Sequence, residues 1–337
     1  MRAVVYTETG PSSVLQLVER EVPQPSPGEV LVRVVRAGVN PTDWKFRAGM
    51  MSGHDEVAPG QDGAGVVEAL GEGVTGFEIG DHVWLLLAQH GRPYGTAVEY
   101  TVQPTARVAK LPAGASFDLG AALGVPFVTA HRLLTSGDVA RLAPGALAGH
   151  TVLVAGGAGA VGNAAIQLAR WAGATVVTTV SGPEKAALAT AAGAHRVVTY
   201  TEGDPAEAIL AIAPDGVDLV AEVAPAQNIG LDLAVTRIGG TIGIYANNGG
   251  DELTVPLRAT FSRNLRFQFV ILYTLDPALL RAAVEDITAA IEDGAVRIGG
   301  DAGLPLHRFP LEETAAAHDA VEGGAVGKVL LDVDPTL

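Results

Sequence analysis

Residues 151–162 constrain the chain more than any other segment. An apolar, largely β-branched run, Thr151-Val152-Leu153-Val154-Ala155, meets a G-x-G-x-x-G turn at Gly157, Gly159 and Gly162, and a helical pattern opens behind it. Strand, glycine turn and helix in that order form the phosphate cradle of a dinucleotide site. Each glycine has its own expected task. Gly157 permits the tight turn, Gly159 lets backbone approach a pyrophosphate, and Gly162 lets the helix pack close to the strand. The N–H groups of Ala160, Val161 and Gly162 then point at the anion, aided by the positive end of the helix dipole. With 42 glycines in the chain the spacing alone is weak, and the flanking strand and helix give it meaning.

The following strand, residues 175–180, ends where the adenosine ribose is gripped, a place at which NAD-binding chains usually carry Asp or Glu. Here Ser181 stands instead, and Lys185 follows four residues later. A hydroxyl and an ammonium suit a 2′-phosphate, which an acid would repel, so the pattern favours NADPH over NADH. The plainer alternative makes Lys185 a solvated residue in the first turn of a helix, and Glu184 beside it opposes phosphate binding.

Acidic residues outnumber basic ones, 37 to 22, giving a net charge of −15. Such a surface repels polyanions, which argues against a nucleic-acid partner. The absence of cysteine excludes disulfides and thiolate metal sites. The eight histidines (His54, His82, His90, His131, His150, His195, His307 and His318) form no H-x-x-x-H pair, so no metal is expected. No apolar run reaches about eighteen residues and no charged segment precedes an apolar core at the start, so neither a membrane span nor a secretory leader is expected. The expected location is the cytoplasm.

The fold expected is α/β in two domains. Short β-branched runs at residues 3–6, 29–34 and 65–69 make the first hundred residues β-rich. From Thr151 strands and Ala-rich helices alternate: 151–155, 160–172, 175–180, 184–192, 196–199, 205–212, 217–223, 227–237 and 240–245. This is a doubly wound parallel sheet. A further strand is expected at 265–272, a helix at 277–292, and a last strand around 329–333.

Several segments together resemble a known family. They are residues 37–43 (Ala-Gly-Val-Asn-Pro-Thr-Asp) with Arg47-Ala48-Gly49, residues 59–67 (Pro-Gly-Gln-Asp-Gly-Ala-Gly-Val-Val), residues 80–83 (Gly-Asp-His-Val), residues 95–100, residues 124–131, the glycine turn, and residues 327–331 (Gly-Lys-Val-Leu-Leu). The chain resembles, over essentially its whole length, the zinc-free quinone oxidoreductases of the medium-chain dehydrogenase/reductase superfamily, in their zeta-crystallin-like branch. The resemblance implies a GroES-like β-barrel domain over 1–122, completed by 276–337, a Rossmann domain over 123–275, and a nicotinamide in the cleft between them. Zinc-dependent relatives carry Cys at the place of Asn40 and Gly-His-Glu at that of Gly60-Gln61-Asp62, so the ligand pattern is missing here.

The resemblance also implies site residues. Lys185 and Tyr200 match positions facing the 2′-phosphate, and Thr129 matches a residue near the nicotinamide. Tyr245, Ala246 and Asn247 match a loop approaching the cofactor. Leu272 lies on a strand whose backbone meets the carboxamide and which extends the sheet across a dimer. Lys328 matches a position close to the cofactor. A homodimer is expected, with a tetramer as second choice.

Without a metal Lewis acid the expected acceptor is easily reduced, a quinone or an α,β-unsaturated carbonyl. Asn40 reads two ways, as a donor to a developing oxyanion or as a left-handed turn residue ahead of Pro41. Lys45 stands where some bacterial quinone reductases carry Tyr. It either steadies an enolate and supplies a proton or is an exposed lysine beside Trp44. Asp43 reads as a helix-capping residue more readily than as a proton carrier. Gln61 and Asp62 are candidates for substrate contact or for structure. Trp44, Phe46, Tyr94 and Phe127 offer an aromatic wall or simply core. Specificity is expected in loops around 45–60, 85–95 and 246–275. Other readings are reduction of an enone or enal, reduction of an enoyl thioester, and a non-catalytic NADPH-binding protein.

Overall fold

A computed structural model gives the fold for residues 1–49 and 53–336, to which every structural statement refers. Residues 50–52 of the expected specificity loop lie outside them. The chain divides into two compact units, residues 1–125 with 306–337, and residues 126–305.

The first unit begins with β1 (Arg2–Val5), β2 (Gln16–Glu19), β3 (Glu29–Val39), α1 (Pro41–Arg47), β4 (Asp62–Leu70), β5 (His82–Leu85), β6 (Tyr100–Pro104) and β7 (Val108–Lys110). Helix α2 (Phe117–Leu134) carries the division between the units. The second unit holds β8 (Thr151–Ala155), α3 (Ala160–Trp171), β9 (Thr175–Val180), α4 (Pro183–Ala191), β10 (Arg196–Thr199), α5 (Pro205–Ile212), β11 (Val217–Glu222), α6 (Pro225–Val235), β12 (Thr236–Ile244), α7 (Leu257–Phe261), β13 (Arg266–Phe269) and α8 (Pro277–Glu292). The chain closes in the first unit with β14 (Leu306–Pro310), α9 (Thr314–Glu322) and β15 (Lys328–Asp332).

In the first unit β3 organises the larger sheet. One of its edges pairs antiparallel with β4 along most of its length. The other edge is shared, residues 29–33 with β6 and residues 36–39 with β15. Gly38 of β3 therefore faces Asp62 of β4 on one side and Leu330 of β15 on the other. Valines and leucines of β3, β4, β5 and β15 form the apolar interior, and Val30, Val32, Val34, Val67 and Leu85 are wholly buried.

The second unit is a six-stranded parallel sheet in the order β10-β9-β8-β11-β12-β13. That order, with helices alternating between strands, is the doubly wound dinucleotide-binding arrangement. Leu153, Val177, Val220 and Ile242 line its interior. Side chains with fixed geometry begin the helices: Asp204 accepts the Ala206 N–H (2.8 Å) ahead of α5, and Asp276 accepts the Ala278 N–H (2.7 Å) ahead of α8.

Two expectations are corrected. The return to the first unit comes at Leu306, not at residue 276, because α8 and the segment behind it pack on α2 and α3. Asp286 of α8 bonds His131, Gln167 donates to the Arg297 carbonyl (3.0 Å), and Asn163 donates to the Ala302 carbonyl (2.8 Å). The strand expected over 265–272 stops at Phe269, and Leu272 sits in a 3₁₀ turn, Leu272–Thr274. An apolar run does not distinguish a strand from the buried turn that follows it.

Candidate functional site

All six strands of the second unit run the same way, so their C-terminal ends share one edge, and β8 and β11 meet at the switch of strand order. At the end of β8 the left-handed turn residue is Gly156, at φ +71°, one residue before the expected Gly157. Gly157 serves packing instead. A Cβ there would lie 2.2 Å from Thr178 Oγ1, whose hydroxyl donates to the Val154 carbonyl at 2.7 Å. A Cβ on Gly162 would lie 2.4 Å from the Gly156 carbonyl, so this glycine lets α3 sit on the turn. Gly159 differs from both. Its Cβ would meet nothing closer than 3.5 Å, so no internal contact demands a glycine there.

Asn163 is the first residue of α3 to bond back, to the Gly159 carbonyl at 2.8 Å. The N–H groups of Ala160, Val161 and Gly162 precede it and point out along the helix axis. Gly159 ahead of them brings no capping side chain.

At the end of β9 stands Ser181, half-buried, with no acid at the strand end. Backbone bonds tie this end to that of β10: the Tyr200 N–H donates to the Val180 carbonyl (3.0 Å), and the Thr201 hydroxyl donates to that of Ser181 (3.3 Å). The Tyr200 ring is 50% exposed, and Lys185 is exposed in the first turn of α4.

The end of β11 and helix α6 hold a buried acid pair, Glu222 and Asp232, which no sequence motif singles out. Glu222 accepts the Ala224 N–H and the Asn228 side-chain N–H (3.0 Å), and Asp232 of α6 is buried close enough to feel its charge. Burial, then the Glu222 charge, pushes the Asp232 carboxyl up to about 9, so at neutral pH it holds its proton. Tyr245 donates its N–H to the Glu222 carbonyl (3.2 Å), and burial followed by the Glu222 charge pushes its phenol upward. Ala246 is half-buried, and exposed Asn247 donates to Asp251. Thr129 is buried in α2 and Leu272 is buried in its 3₁₀ turn.

The first unit holds a second polar cluster. Asn40 is extended (φ −125°), so it is not the left-handed turn residue of the alternative reading. Its backbone N–H donates to Asp43 Oδ2 at 2.7 Å, which gives Asp43 the capping role expected of it. The Asn40 amide donates to Asp62 Oδ2 (2.7 Å), and its Oδ1 accepts from Lys328 Nζ (2.7 Å). Lys328 Nζ also pairs with Asp62 at 3.2 Å, and Asp62 Oδ1 accepts the Val125 N–H at 2.7 Å. Asn40, Asp43, Asp62 and Lys328 are all at most 3% exposed. Burial, then the Asp62 charge, pushes Asp43 up to about 7, against the pull of the Asn40 N–H and Lys328. Lys328 thus turns its ammonium onto Asn40 and Asp62.

Gln61 is fully buried and donates to Gln89 Oε1 (3.0 Å). The loop carrying Gln89 is held by Arg107, which donates to the Leu87 and His90 carbonyls (3.1 and 2.6 Å), with Leu87 at φ +52°. Lys45 is half-buried on α1 with Nζ 5.8 Å from the Trp44 ring. The expected aromatic set serves several ends. Phe46 and Phe127 are core, and the Tyr94 hydroxyl donates to Glu56 (2.6 Å).

A parallel sheet with this strand order and glycine turn, together in one chain with a mixed sheet that the last strands complete, defines a medium-chain dehydrogenase/reductase. The alcohol dehydrogenase GroES-like domain matches residues 26–113, and the zinc-binding dehydrogenase domain matches residues 160–289. The chain belongs to the quinone oxidoreductase family of that superfamily. It is 33% identical to the quinone oxidoreductase of Lama guanicoe, with 98% of this chain and 97% of that protein covered. It is 30% identical to a 2-haloacrylate reductase of a Burkholderia species, with 98% of each covered. Among solved structures, an NAD-dependent alcohol dehydrogenase (30% identity, TM-score 0.86) and a mycobacterial protein complexed with NADPH (29%, 0.82) each align over 99% of this chain and all of theirs. The chain is therefore a nicotinamide-dependent oxidoreductase acting on a small molecule. Among the described residues no helix is long and apolar enough to cross a membrane.

Proposed function

We propose that the chain is a cytosolic, NADPH-dependent reductase that works without zinc and delivers a hydride to quinones or related conjugated carbonyls. The observation that carries the cofactor assignment is the end of β9, where Ser181 replaces an acid while Lys185 and Tyr200 flank it. Lys185 and Tyr200 would hold the 2′-phosphate, and the N–H groups of Ala160, Val161 and Gly162 the pyrophosphate. Thr129, Tyr245, Ala246, Asn247 and Leu272 are the remaining candidates for contact with the dinucleotide. When bound, the nicotinamide supplies a hydride, which with one proton takes a quinone to its hydroquinone or a conjugated C=C to the saturated carbonyl.

The protein's part is orientation and electrostatics. Asn40 has a second amide N–H besides the one given to Asp62, and in this reading that donor would stabilise the charge developing on the acceptor oxygen. The Lys45 ammonium steadies the reduced acceptor and passes it a proton. Zinc independence is supported by the donor set, since the cluster offers an amide and a carboxylate already engaged by an ammonium.

Lys45 also favours a second reading, reduction of the C=C bond of an enone or enal, because an ammonium matches an enolate better than a hydroquinone. The similarity to a 2-haloacrylate reductase points the same way. The edge of β13 and the exposed Phe269 (62%), Ile271 (55%), Leu257 (77%) and Phe261 (61%) near it support a homodimer.

The test is oxidation of NADPH, with NADH in parallel, by protein stripped of metal, offered a naphthoquinone, phenanthrenequinone and a conjugated enone. Quinone turnover with NADPH preferred is the expected result. Turnover of the enone alone moves the assignment to alkene reduction. Silence with every acceptor despite NADPH binding overturns both.

A further inference from the structure

We propose that the Lys328 ammonium is a built-in cation held between the oxygens of Asn40 and Asp62, and that it acts on acceptor reduction as a positioning residue by fixing, with Asp62, the Asn40 amide. The inference rests on the role given to Asn40 above and adds Lys328 as the group that sets it.

Three adjacent strands converge at the place. Asn40 follows the end of β3, Asp62 begins β4 and Lys328 begins β15, and the pairing of these strands brings all three together. Two glycines clear the space. A Cβ on Gly38 would lie 2.9 Å from Lys328 Cε and 3.0 Å from Nζ, as well as 2.1 Å from the Ala121 carbonyl. A Cβ on Gly124 would lie 2.1 Å from Asp62 Oδ1. Room for a buried lysine and a buried aspartate is thus written into the neighbouring backbone.

The hydrogen bonds leave the Asn40 amide one orientation. Lys328 has only protons to give, so the atom it meets at 2.7 Å must be the amide oxygen. The amide nitrogen then faces Asp62, which as a carboxylate only accepts. Lys328 and Asp62 thus set the orientation from its two ends, and with both charges removed nothing selects it: a flipped amide then presents an acceptor where the reaction needs a donor. The same ammonium fills the space among the oxygens that a metal would need, and its positive charge repels a divalent ion.

The test uses the full-length double variant K328M/D62N, which removes the ammonium without leaving a bare buried carboxylate. Three readouts are taken: the NADPH dissociation constant from fluorescence titration, kcat and KM for the acceptor, and zinc content after exposure to zinc and gel filtration. The expected variant binds NADPH within about twofold of the parent but loses about tenfold or more in kcat, with a smaller change in acceptor KM. The parent is expected to carry no stoichiometric zinc. An unchanged kcat overturns the positioning role, and an NADPH dissociation constant raised about tenfold assigns Lys328 to the cofactor instead. One zinc per parent chain overturns the built-in cation. The zinc measurement needs no turnover, so it still judges the cation if the parent reduces no acceptor, a result that sinks the proposed function itself.

Discussion

Asp232 and Glu222 are two buried carboxyls of the parallel sheet's unit, each only 1% exposed, and the Glu222 charge helps to keep the proton on Asp232. The pair anchors the turn after β11, because Glu222 also takes the N–H groups of Ala224 and Asn228. Its protonation is coupled to folding. Asp232 ordinarily titrates at 3.8 and is pushed up to about 9 in the fold, so at neutral pH unfolding releases this proton. The stability it contributes is full below its ordinary value and is lost as pH rises towards about 9, at a slope of about 1.4 kcal/mol per pH unit at most. Thermal melts are expected to fall between about pH 6 and 9 in the parent and to be flatter in D232N. Parallel profiles for the two proteins would refute the raised Asp232 carboxyl.

Asp286 gives the opposite sign. Burial would raise it, but bonds from His131, Arg141 and the Leu142 N–H prevail and hold it at about 2. Its stabilisation is present above the ordinary carboxylate range and is lost as pH falls through about 2. D286A strands His131 and the loop carrying Arg141 and is expected to cost about 3 kcal/mol, read by urea denaturation near neutral pH.

The glycines of the turn should separate folding from binding. G159A is expected to keep the parent's melting temperature while weakening NADPH about tenfold or more, since its new methyl meets nothing of the protein closer than 3.5 Å and enters the space proposed for the pyrophosphate. G157A drives a Cβ against Thr178 Oγ1 and should lower the melting temperature itself. Equal effects of the two on stability would remove the distinction.

Lys185 should decide between the nicotinamide cofactors. K185A is expected to raise KM for NADPH by about ten- to hundredfold and to leave NADH nearly untouched, the worth of one charge-assisted hydrogen bond. An equal loss with both cofactors would place Lys185 away from the 2′-phosphate.

The exposed edge of the parallel sheet should decide assembly. F269E/I271E puts two carboxylates on it and is expected to convert a dimer to monomers in light scattering, with the melting profile of the second unit retained. A parent that is already monomeric would dismiss the dimer.

What the sequence revealed and what it hid follow from the range of the interactions. The strands at 151–155, 175–180 and 196–199 and the helix at 277–292 are local patterns, and each appears where the pattern puts it. The stop of β13 at Phe269 is not local, because Phe269 is the last residue that finds a partner on β12, at Ile244. Likewise α8 carries an ordinary amphipathic pattern that does not name the unit it covers. The Asn40 orientation was beyond reach, since Lys328 lies 288 residues away and nothing between them marks the meeting. The shift of the turn residue from Gly157 to Gly156 is subtler. Three of the four residues at 156–159 are glycines, and only the Thr178 side chain on the next strand assigns their tasks.

The order in which a ribosome delivers the chain gives the last strand an added meaning. Asp62 is synthesised 266 residues before the ammonium that neutralises it, and the whole second unit is made in between. That unit is one continuous stretch and can collapse as it emerges. The first unit has to wait, its edge beside residues 36–39 of β3 unoccupied and its carboxylate in water, until β15 arrives. A nascent chain interrupted before Lys328 therefore holds the whole second unit and a first unit that still lacks the strand and the positive charge that complete it.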